Sequence, residues 1–512
     1  MSATLARRYH QRTRHTVEAI RSGGRLDLAN RPRPHKLFAD LAPVALPRTW
    51  PEPTVSAGEI LADGHGPRRT LDLAGLARVL FLSGGVTRRR GDGQTTTFLR
   101  AAPSAGALYP VELYAVTGAL SGLDAGVYHF EPVEFVLRRL RRGDLRAVVG
   151  AAGAADDVAD RPASLLVTGI PWRTTWKYGP RGYRHLFWDA GTVLANTLVA
   201  AASAGLDARV LTAFEDDSLR RLLDLDAAPF KEYPLAVVAL GTGATAPPAV
   251  DDVPELGLRV LPLSPRPVEA PGLDDVHRAG DLADRDEVAT WRAAVRSAGR
   301  AADAHGPPPP RATATVDEVI LRRGSTRRFD PDTVLAEEEL RWPVATAARA
   351  APLDATAAER TWLTTFLSVH AVDQVPPGTY RWSAGDVELL RRGRLRQQAA
   401  HLCLDQPLGG DAAYTAFLCA DLDRTLAAGG ARAYRVAQLE AGIAAGRLQL
   451  ASFALGRGGT GLTFYDDEIR RTFRTDLEPM MVAAIGQPAY RAHRGRRPSE
   501  LPPVPPDELA TR

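Results

Sequence analysis

The hydrophobic and polar pattern along this chain predicts the same series of elements twice. DLAGLARVLFLSGG carries apolar residues at helical spacing and ends in a glycine pair, whereas VELYAVTG and GVYHF are short and β-rich. The nearly all-apolar DAGTVLANTLVAAASAGL predicts a buried helix that stops at Gly205, and LAVVALG predicts a closing strand. A helix, strands, a core helix and a closing strand recur between residues 314 and 490.

Sequence similarity follows the same repeat. GVYHFEPVEFVLRRLRRGDLR returns as GTYRWSAGDVELLRRGRLR, and AFEDDSLRRLL returns as TFYDDEIRRTF. Tyr128 and Tyr380 are 252 residues apart, and Asp217 and Asp467 are 250 apart. Ordered similarity at a nearly constant offset indicates a duplicated domain. Because helix and strand signals mix without βαβ alternation, each copy is predicted to be α+β, a mostly antiparallel sheet flanked by helices.

Composition and proline-rich stretches predict the domain boundaries. A polar helix, ARRYHQRTRHTVEAIRSG, and a proline-rich stretch form an N-terminal extension, and proline-rich flanks around one predicted helix form a connector. The predicted units are the extension (1–70), copy one (71–245), the connector (246–312), copy two (313–498) and a polar tail (499–512).

Bulk properties exclude several classes of protein. The 512 residues are 45% hydrophobic and 24% charged, as in ordinary globular proteins, and a net charge of +4 over this length does not indicate nucleic acid or membrane. The two cysteines cannot build a disulfide framework, and the 11 histidines show no metal-ligand spacing. With no signal peptide and no apolar stretch long enough to span a bilayer, we expect a cytoplasmic protein without a metal.

The segment LRRGSTRRFD in copy two could hold a phosphate. Arg323, Ser325 and Arg327 lie in a glycine-marked turn, where guanidinium groups can fork onto phosphate oxygens and a hydroxyl can donate to them. The alternative is a solvated arginine turn beside a helix. Copy one has a weaker counterpart in GGVTRRRGD, with Thr87 and Arg88.

The loop APSAGALYP in copy one could approach a flat ligand. Its small residues Ser104, Ala105 and Gly106 would let the backbone come close, and the serine hydroxyl could hydrogen-bond the ligand. An ordinary tight loop is the alternative. Copy two has APLDATAAE here, without the serine, the glycine and the Tyr-Pro pair.

The segment PWRTTWKYGPRGYR interleaves aromatic and basic residues. It could be a nucleic-acid stacking surface, a structural cation–π lattice or an active-site lid. In the lid interpretation, desolvation among aromatic rings lowers the pKa of Lys177 toward that of a general base. Copy two lacks the Trp-Lys-Tyr sequence.

At these residues the chain resembles the nitroreductase superfamily of flavin enzymes. Copy one is similar to the SagB-type branch, the azoline dehydrogenases of thiazole/oxazole-modified peptide biosynthesis. Copy two is similar to the superfamily more generally, through RRGSTRRFD, its core helix and IGQPAYRAHRGRRP. The residues that copy one and the extension share with the SagB-type branch are YHQRTRH, RPRPHK, GVTRR, APSAGALYPVELY, GVYHF, WKYGPRGYRH, DAG…N and AFEDD.

The resemblance implies an interlocked dimer with FMN at the interface, and here the two subunits would be the two copies. It implies that one subunit supplies the phosphate motif, the C-terminal basic residues and the loop after the core helix. The other subunit supplies the PSAG-type loop and the segment before the core helix. The implied phosphate residues of copy two are Arg323, Ser325, Arg327, Arg494, Arg496 and Arg497.

Copy one would supply the remaining parts of that site, Ser104, Ala105, Gly106, Lys177 and Tyr178. The reciprocal site would have only Thr87 and Arg88 as a clamp, no comparable basic tail and no Lys-Tyr pair. We therefore expect one FMN per chain.

The implied reaction is the oxidation of peptide thiazolines or oxazolines to thiazoles or oxazoles. Lys177 or Tyr178 would take the Cα proton while hydride leaves Cβ for flavin N5, and backbone groups near Glu215 or Tyr465 would tune N5. The expected partners are an azoline-containing precursor peptide and a cyclodehydratase complex. Two alternatives are an NAD(P)H-dependent nitro- or quinone reductase and a non-catalytic scaffold for a leader peptide or cyclodehydratase. A monomeric pseudo-dimer and a homodimer both fit the duplication.

Overall fold

The computed structural model shows two similar α+β units joined through their long helices, which confirms the predicted fold class. The residues that it describes are 1–21, 26–91, 96–250, 252–303, 306–502 and 504. Most of the predicted polar tail after residue 502 lies outside these ranges.

The N-terminal extension and copy one contain the first series of elements. The helices are α1 (Ser2–Arg12), α2 (Val17–Arg21), α3 (Ala57–Leu61), α4 (Leu73–Gly84), α5 (Arg146–Ala152), α6 (Pro171–Tyr178), α7 (Gly182–Ser203) and α8 (Asp216–Leu223). The strands are β1 (Pro43–Ala45), β2 (Val86–Arg90), β3 (Thr97–Arg100), β4 (Val111–Thr117), β5 (Gly126–Glu131), β6 (Val136–Arg142), β7 (Ala163–Gly169), β8 (Ala208–Leu211) and β9 (Tyr233–Leu240).

The connector and copy two contain the second series. The helices are α9 (Leu273–Arg278), α10 (Arg285–Arg296), α11 (Val316–Arg322), α12 (Glu338–Ala348), α13 (Arg396–Leu402), α14 (Pro407–Asp411), α15 (Leu422–Ala454) and α16 (Asp466–Phe473). The strands are β10 (Arg300–Ala301), β11 (Arg360–Thr361), β12 (Leu363–Val369), β13 (Gly378–Ser383), β14 (Asp386–Arg392), β15 (Tyr414–Ala420), β16 (Gly458–Leu462) and β17 (Glu478–Gly486).

The two main sheets have the same antiparallel topology. Their strand orders are β1-β6-β5-β4-β7-β9-β8 and β14-β13-β12-β15-β17-β16, so that they differ by the added edge strand β1. Register is preserved as well: Tyr114 pairs with Leu166 in copy one, and Phe366 pairs with Phe417 at the corresponding rungs of copy two. The repeated sequence therefore builds a repeated sheet.

The predicted N-terminal helix is two helices in the structure. α1 ends at Arg12 and α2 begins at Val17. Between them, the Thr13 carbonyl accepts a hydrogen bond from Arg181 Nη1 at 2.7 Å, and the His15 N–H donates to Asp466 Oδ2 at 2.8 Å. These tertiary partners use backbone groups that a continuous helix would pair internally, so the helix breaks.

The core helices α7 and α15 hold the two copies together. They cross where Gly191 faces Gly442, so closely that a Cβ on Gly191 would lie 2.6 Å from the Gly442 Cα. Their apolar side chains, including Leu194 and Ile443, belong to one buried cluster that runs through both copies. Among the described residues, no helix has the length and apolarity needed to cross a membrane.

Buried ion pairs repeat on both sides of this crossing. Arg184 Nη1 of copy one lies 2.9 Å from Asp466 Oδ1 of copy two, and Arg432 Nη1 of copy two lies 2.6 Å from Asp216 Oδ2 of copy one. All four side chains are buried. Removing one partner of such a pair leaves an uncompensated buried charge, so these contacts constrain how the copies meet.

We predict that Gly191→Ala destabilises the protein by about 1–3 kcal/mol, because a new methyl group would meet helix backbone that cannot rotate away. Thermal and urea unfolding measure the effect. Gly324→Ala is the control, since the nearest atom to its Cβ would be 3.9 Å away. Equal stabilities of the two variants would contradict the close crossing.

Candidate active site between the two copies

The phosphate clamp (Arg323, Ser325 and Arg327) follows the end of α11 and lies against copy one. Arg323 is 4% exposed, and its Nε donates to the Ala101 carbonyl at 2.9 Å. Its Nη1 is buried and has no hydrogen-bond partner within the described ranges. Burial and the neighbouring Arg88 charge lower the pKa of Arg323 to about 10. A buried guanidinium nitrogen without a partner suits an anion.

The rest of the clamp lies near the Lys-Tyr pair of copy one. Ser325 is half-buried and Arg327 is exposed. The Arg327 N–H donates to the Tyr490 hydroxyl at 3.1 Å. The charge of Arg327 helps to lower the pKa of Lys177. The structure therefore places Arg327 of copy two within electrostatic reach of Lys177 of copy one, as the resemblance implies.

Arg88 lies on the same side as the clamp, which corrects its assignment to the reciprocal site. Arg88 Nη2 donates to the Leu321 carbonyl at 2.7 Å, and its Nε donates to the His493 carbonyl at 3.0 Å. The cause is the β2–β3 hairpin, which carries Thr87 against the C-terminal segment, where the Arg496 N–H donates to the Thr87 carbonyl at 2.8 Å.

The C-terminal arginines differ in availability. Arg494 and Arg496 are exposed near the clamp. Arg497 is paired with Glu52, with Nη2 2.8 Å from Oε2, and this pair lowers the pKa of Glu52. Because its guanidinium group already binds a carboxylate, the structure does not support the prediction that Arg497 binds phosphate.

The Ser104 loop (residues 103–107) is held from below by Asp189 of α7. Ser104 Oγ donates to Asp189 Oδ2 at 2.5 Å and accepts from the Tyr109 N–H at 2.8 Å, while the Ala105 N–H donates to Asp189 Oδ1 at 3.2 Å. The serine hydroxyl hydrogen is thus used to fix the loop rather than to bind a ligand. Burial raises the pKa of Asp189 to about 7.

Lys177 and Tyr178 lie directly over this loop, at the end of α6. Gly106 has φ +64°, and a Cβ there would lie 3.0 Å from the Tyr178 hydroxyl and 3.2 Å from Lys177 Nζ. Glycine is therefore required both for the backbone conformation and for the close approach. The Tyr178 ring stacks on His185, with centroids 4.2 Å apart.

The electrostatics of the pair favour different roles for its members. Partial burial, then the charges of Arg31 and Arg327, lower the pKa of Lys177. Burial, then the charge of Asp189, raises the pKa of Tyr178 above its ordinary value. Lys177 therefore loses its proton more readily than an ordinary lysine does. Tyr178 holds its proton more firmly than an ordinary tyrosine and remains a hydrogen-bond donor.

Most of the aromatic and basic residues beside this pair are structural. Trp172 is buried and donates to Ser264 Oγ at 2.9 Å, and Arg173 is fully buried with its Nη1 2.5 Å from Glu112 Oε1. The segment is a packed helix whose buried side chains cannot form a nucleic-acid stacking surface. The structural interpretation therefore explains this segment, and Lys177 and Tyr178 lie at the end of it that is less buried.

Comparison with known proteins shows what this architecture is. The nitroreductase family profile matches residues 72–242 and 320–487, more than half of the chain. The chain belongs to the nitroreductase family. A crystal structure of a nitroreductase from Anabaena variabilis superposes with a TM-score of 0.74 at 24% identity, covering 94% of this chain and 99% of that one. The whole two-copy fold therefore has a solved counterpart.

Three curated relatives of this nitroreductase-family protein match single regions. A protein of Methanocaldococcus jannaschii named as a nitroreductase is 32% identical over 172 residues, 33% of this chain and 81% of that protein. The trifolitoxin-processing protein TfxB of Rhizobium leguminosarum bv. trifolii is 31% identical over 139 residues, 26% of this chain and 37% of that protein. The microcin B17-processing protein McbC of Escherichia coli is 28% identical over 130 residues, 24% of this chain and 48% of that protein. The chain thus spans less than half of either processing protein. Together with the family match, these relatives confirm the predicted family resemblance.

The structure gives Tyr465 and Glu215 other partners than a flavin. The Tyr465 N–H donates to the Leu402 carbonyl at 3.0 Å, and its hydroxyl donates to Asp405 Oδ2 at 3.2 Å. The Glu215 N–H donates to the Ala152 carbonyl at 2.8 Å. Because these backbone groups pair within their own copies, the prediction that they tune flavin N5 is not supported.

Sequence reasoning missed Asp189 as a member of the site. The available signal was an acidic residue inside an otherwise apolar helix, which needs a specific buried partner.

Three side chains elsewhere in the structure are close enough to suggest a metal site. Asp216, His277 and Asp281 have ligand atoms within 4.8 Å of one another. Arg432 already pairs with Asp216 at 2.6 Å, so this cluster is an ion-pair network rather than a vacant cation site.

We predict that Asp189→Asn changes how the stability of the protein depends on pH. The pKa of Asp189 is raised from 3.8 to about 7 in the folded chain, so the folded state holds an extra proton in that window and loses stability as pH rises. The free energy of unfolding of wild type minus that of the variant should fall by about 2–3 kcal/mol between pH 5 and pH 8. Urea unfolding of the two proteins at each pH measures it.

Glu440→Gln is the matched control for this experiment. Glu440 is the counterpart of Asp189 in copy two, and burial raises its pKa to about 7. It accepts from the Trp362 N–H at 2.9 Å and lies outside the Ser104 loop. We expect the same pH trend for this variant, because burial raises the pKa of its carboxyl in the same way. A stability difference for Asp189→Asn that does not change with pH would contradict the assignment.

Proposed function

We propose that this nitroreductase-family chain binds one FMN, in the site that joins the clamp of copy two to the Ser104 loop of copy one. The single observation that supports it most is the buried Arg323 Nη1, which has no partner among the described residues. The Nε of the same side chain donates to the carbonyl of Ala101, two residues before the Ser104 loop. A phosphate oxygen would satisfy that nitrogen, and the small residues of the loop would admit a flat ring. The residues present therefore fit FMN.

We further propose that the chain oxidises thiazolines or oxazolines in a ribosomally made peptide. Two relatives are named as peptide-processing proteins, and the Lys-Tyr pair of the SagB-type resemblance lies over the Ser104 loop. When bound, FMN supplies a hydride acceptor. The azoline-containing precursor peptide is the proposed substrate, and a cyclodehydratase complex is the proposed partner.

The chain's own residues have separate roles in this proposal. Lys177 Nζ takes the acidified ring proton, because its lowered pKa increases the fraction of neutral amine. Tyr178 donates a hydrogen bond to the substrate and is held by its stacking on His185. Asp189 fixes the Ser104 loop and thereby helps to set the distance between the azoline ring and the Lys177 amine.

A second candidate is an NAD(P)H-dependent reductase on the same scaffold. The observation that favours it is the Methanocaldococcus jannaschii relative, which bears the name nitroreductase and is matched over 81% of its length. Rapid bleaching of the flavin by NADPH, without oxidation of an azoline peptide, would establish this candidate in place of the first.

We predict one FMN per chain in the purified protein, measured by absorbance after denaturation. Arg323→Ala should reduce FMN affinity at least about tenfold, because one charge-assisted hydrogen bond is lost. Arg322→Ala is the control, since Arg322 is exposed one residue earlier. Two FMN per chain, or unchanged binding by Arg323→Ala, would contradict the proposed site.

We predict that the protein removes two hydrogens per ring from an azoline peptide, a loss of about 2 Da measured by mass spectrometry. Lys177→Ala should slow this oxidation by about 100-fold or more with FMN still bound, because the base is lost. Lys231→Ala, a half-buried lysine outside the site, should oxidise at the wild-type rate. Full activity of Lys177→Ala would exclude Lys177 as the base.

Arg31→Gln tests whether Lys177 acts as the base through its pKa. The Arg31 charge helps to lower the pKa of Lys177, and its guanidinium group lies 5.9 Å from the Trp176 ring centroid. Removing that charge favours the protonated amine, so the rising limb of the rate against pH should move to higher pH. An unshifted limb would indicate that another group is the base.

A further inference from the structure

The connector contains a second copy of the N-terminal arm, defined here as residues 2–15. His10 Nδ1 lies 3.2 Å from the Tyr434 hydroxyl, and His277 Nδ1 lies 3.0 Å from the Tyr183 hydroxyl. The two histidines are 267 residues apart, and each contacts a tyrosine of one core helix, at equivalent positions in the two copies. The arm and α9 are thus related by the same pseudo-two-fold as the copies.

Backbone contacts extend this relation at the same 267-residue offset. The His15 N–H donates to Asp466 at 2.8 Å, and the Leu282 N–H donates to Asp216 at 3.0 Å. The carbonyls that lie two residues before these N–H groups also match. The Thr13 carbonyl accepts from Arg181 at 2.7 Å, and the Gly280 carbonyl accepts from Arg432 at 2.9 Å. The connector therefore repeats the arm.

Helix α10 follows this repeated arm and enters the reciprocal position. Gly429 stands where Tyr178 stands in copy one, 251 residues earlier. A Cβ on Gly429 would lie 2.5 Å from Val295 Cγ1 and 2.7 Å from Trp291 Nε1, and Trp291 Nε1 donates to the Gly429 carbonyl at 3.0 Å. Side chains of α10 thus fill the space that a counterpart of Tyr178 would need.

Arg292 of α10 joins the loop of copy two that corresponds to the Ser104 loop to the segment of copy one that follows its core helix. Its Nε donates to Asp354 Oδ2 at 2.9 Å, in the APLDATAAE loop of copy two. Its Nη2 donates to the Ala213 carbonyl of copy one at 3.1 Å. Arg292 is 9% exposed, and Asp354 is 7% exposed. Because separating them would leave a buried charge without its partner, the pair fixes α10 against both copies.

The same two segments also bond to each other directly. Val210 of β8 forms a parallel bridge with Leu353, and the Asp354 N–H donates to the Val210 carbonyl at 3.0 Å. Asp354 Oδ1 accepts from the Thr212 N–H at 2.6 Å. These backbone groups are therefore already paired with each other, and a ring inserted between the two segments would have to break those hydrogen bonds.

We propose that α10 closes the reciprocal flavin position, with Trp291 and Val295 in place of a lid tyrosine and Arg292 bound across the interface. Helix α10, which follows the duplicated arm, is thus an internal seal at the position reciprocal to the proposed site. This inference rests on the proposed function only in naming FMN as the excluded ligand. It assigns a role to the connector that a linker between domains would not have.

Hydrogen–deuterium exchange of the full chain, with and without FMN, tests the seal. We expect amides in residues 99–106 and 321–328 to exchange about tenfold or more slowly with FMN bound, and those in α10, 208–214 and 351–355 to be already protected and unchanged. A comparable FMN-dependent change in α10 would overturn the proposal. Absence of any FMN-dependent change would instead overturn the proposed function.

Arg292→Ala gives a second readout that does not depend on flavin. Removing the guanidinium group leaves Asp354 buried without its cation, so the unfolding temperature should fall by about 3–6 °C while the FMN content per chain is unchanged. Arg296→Ala, an exposed arginine on the same helix, should change neither. Loss of FMN from Arg292→Ala would place α10 in the working site and refute the seal.

Discussion

The close crossing of α7 and α15 is the constraint on which the rest of this structure depends. Gly191 and Gly442 let the two backbones approach, and one apolar cluster then spans both copies. Because each core helix lies beside the other copy's loops, the crossing also determines which polar residues can meet. The Asp466 and Asp216 ion pairs use the same geometry on opposite sides, where burial makes an unpaired charge costly.

The two copies share one fold, but the two positions between them differ in their polar groups. On one side, small residues and a guanidinium nitrogen of Arg323, unpartnered within the described part of the chain, leave space and charge for a ligand. On the other side, Arg292 and Asp354 satisfy each other, and the facing backbone groups are hydrogen-bonded. At these particular groups the two sides therefore differ: Arg323 Nη1 is available to an anion, whereas Arg292 and Asp354 are already paired.

Individual residues show which features of the structure could be predicted from sequence patterns and which could not. The association of the clamp with Lys177 and Tyr178 was implied by the family resemblance, and it stays a prediction. The α+β fold and the duplication could be predicted from the chain itself, because helical and strand periodicity and the order of similar segments are local properties. The positions of Arg88 and Arg497 could not. Each depends on which distant carbonyl or carboxylate the fold brings near, Leu321 in one case and Glu52 in the other.

By itself, the sequence determined the repeated order of helices and strands and the unequal distribution of phosphate-type and Lys-Tyr motifs between the copies. Only the tertiary structure decided that Asp189 supports the Ser104 loop and that α10 packs against Gly429, at the position that corresponds to Tyr178. The physical reason is that periodicity and composition act along the chain. Burial and hydrogen-bond pairing join residues that are far apart in the sequence, and the sequence pattern carries little trace of them.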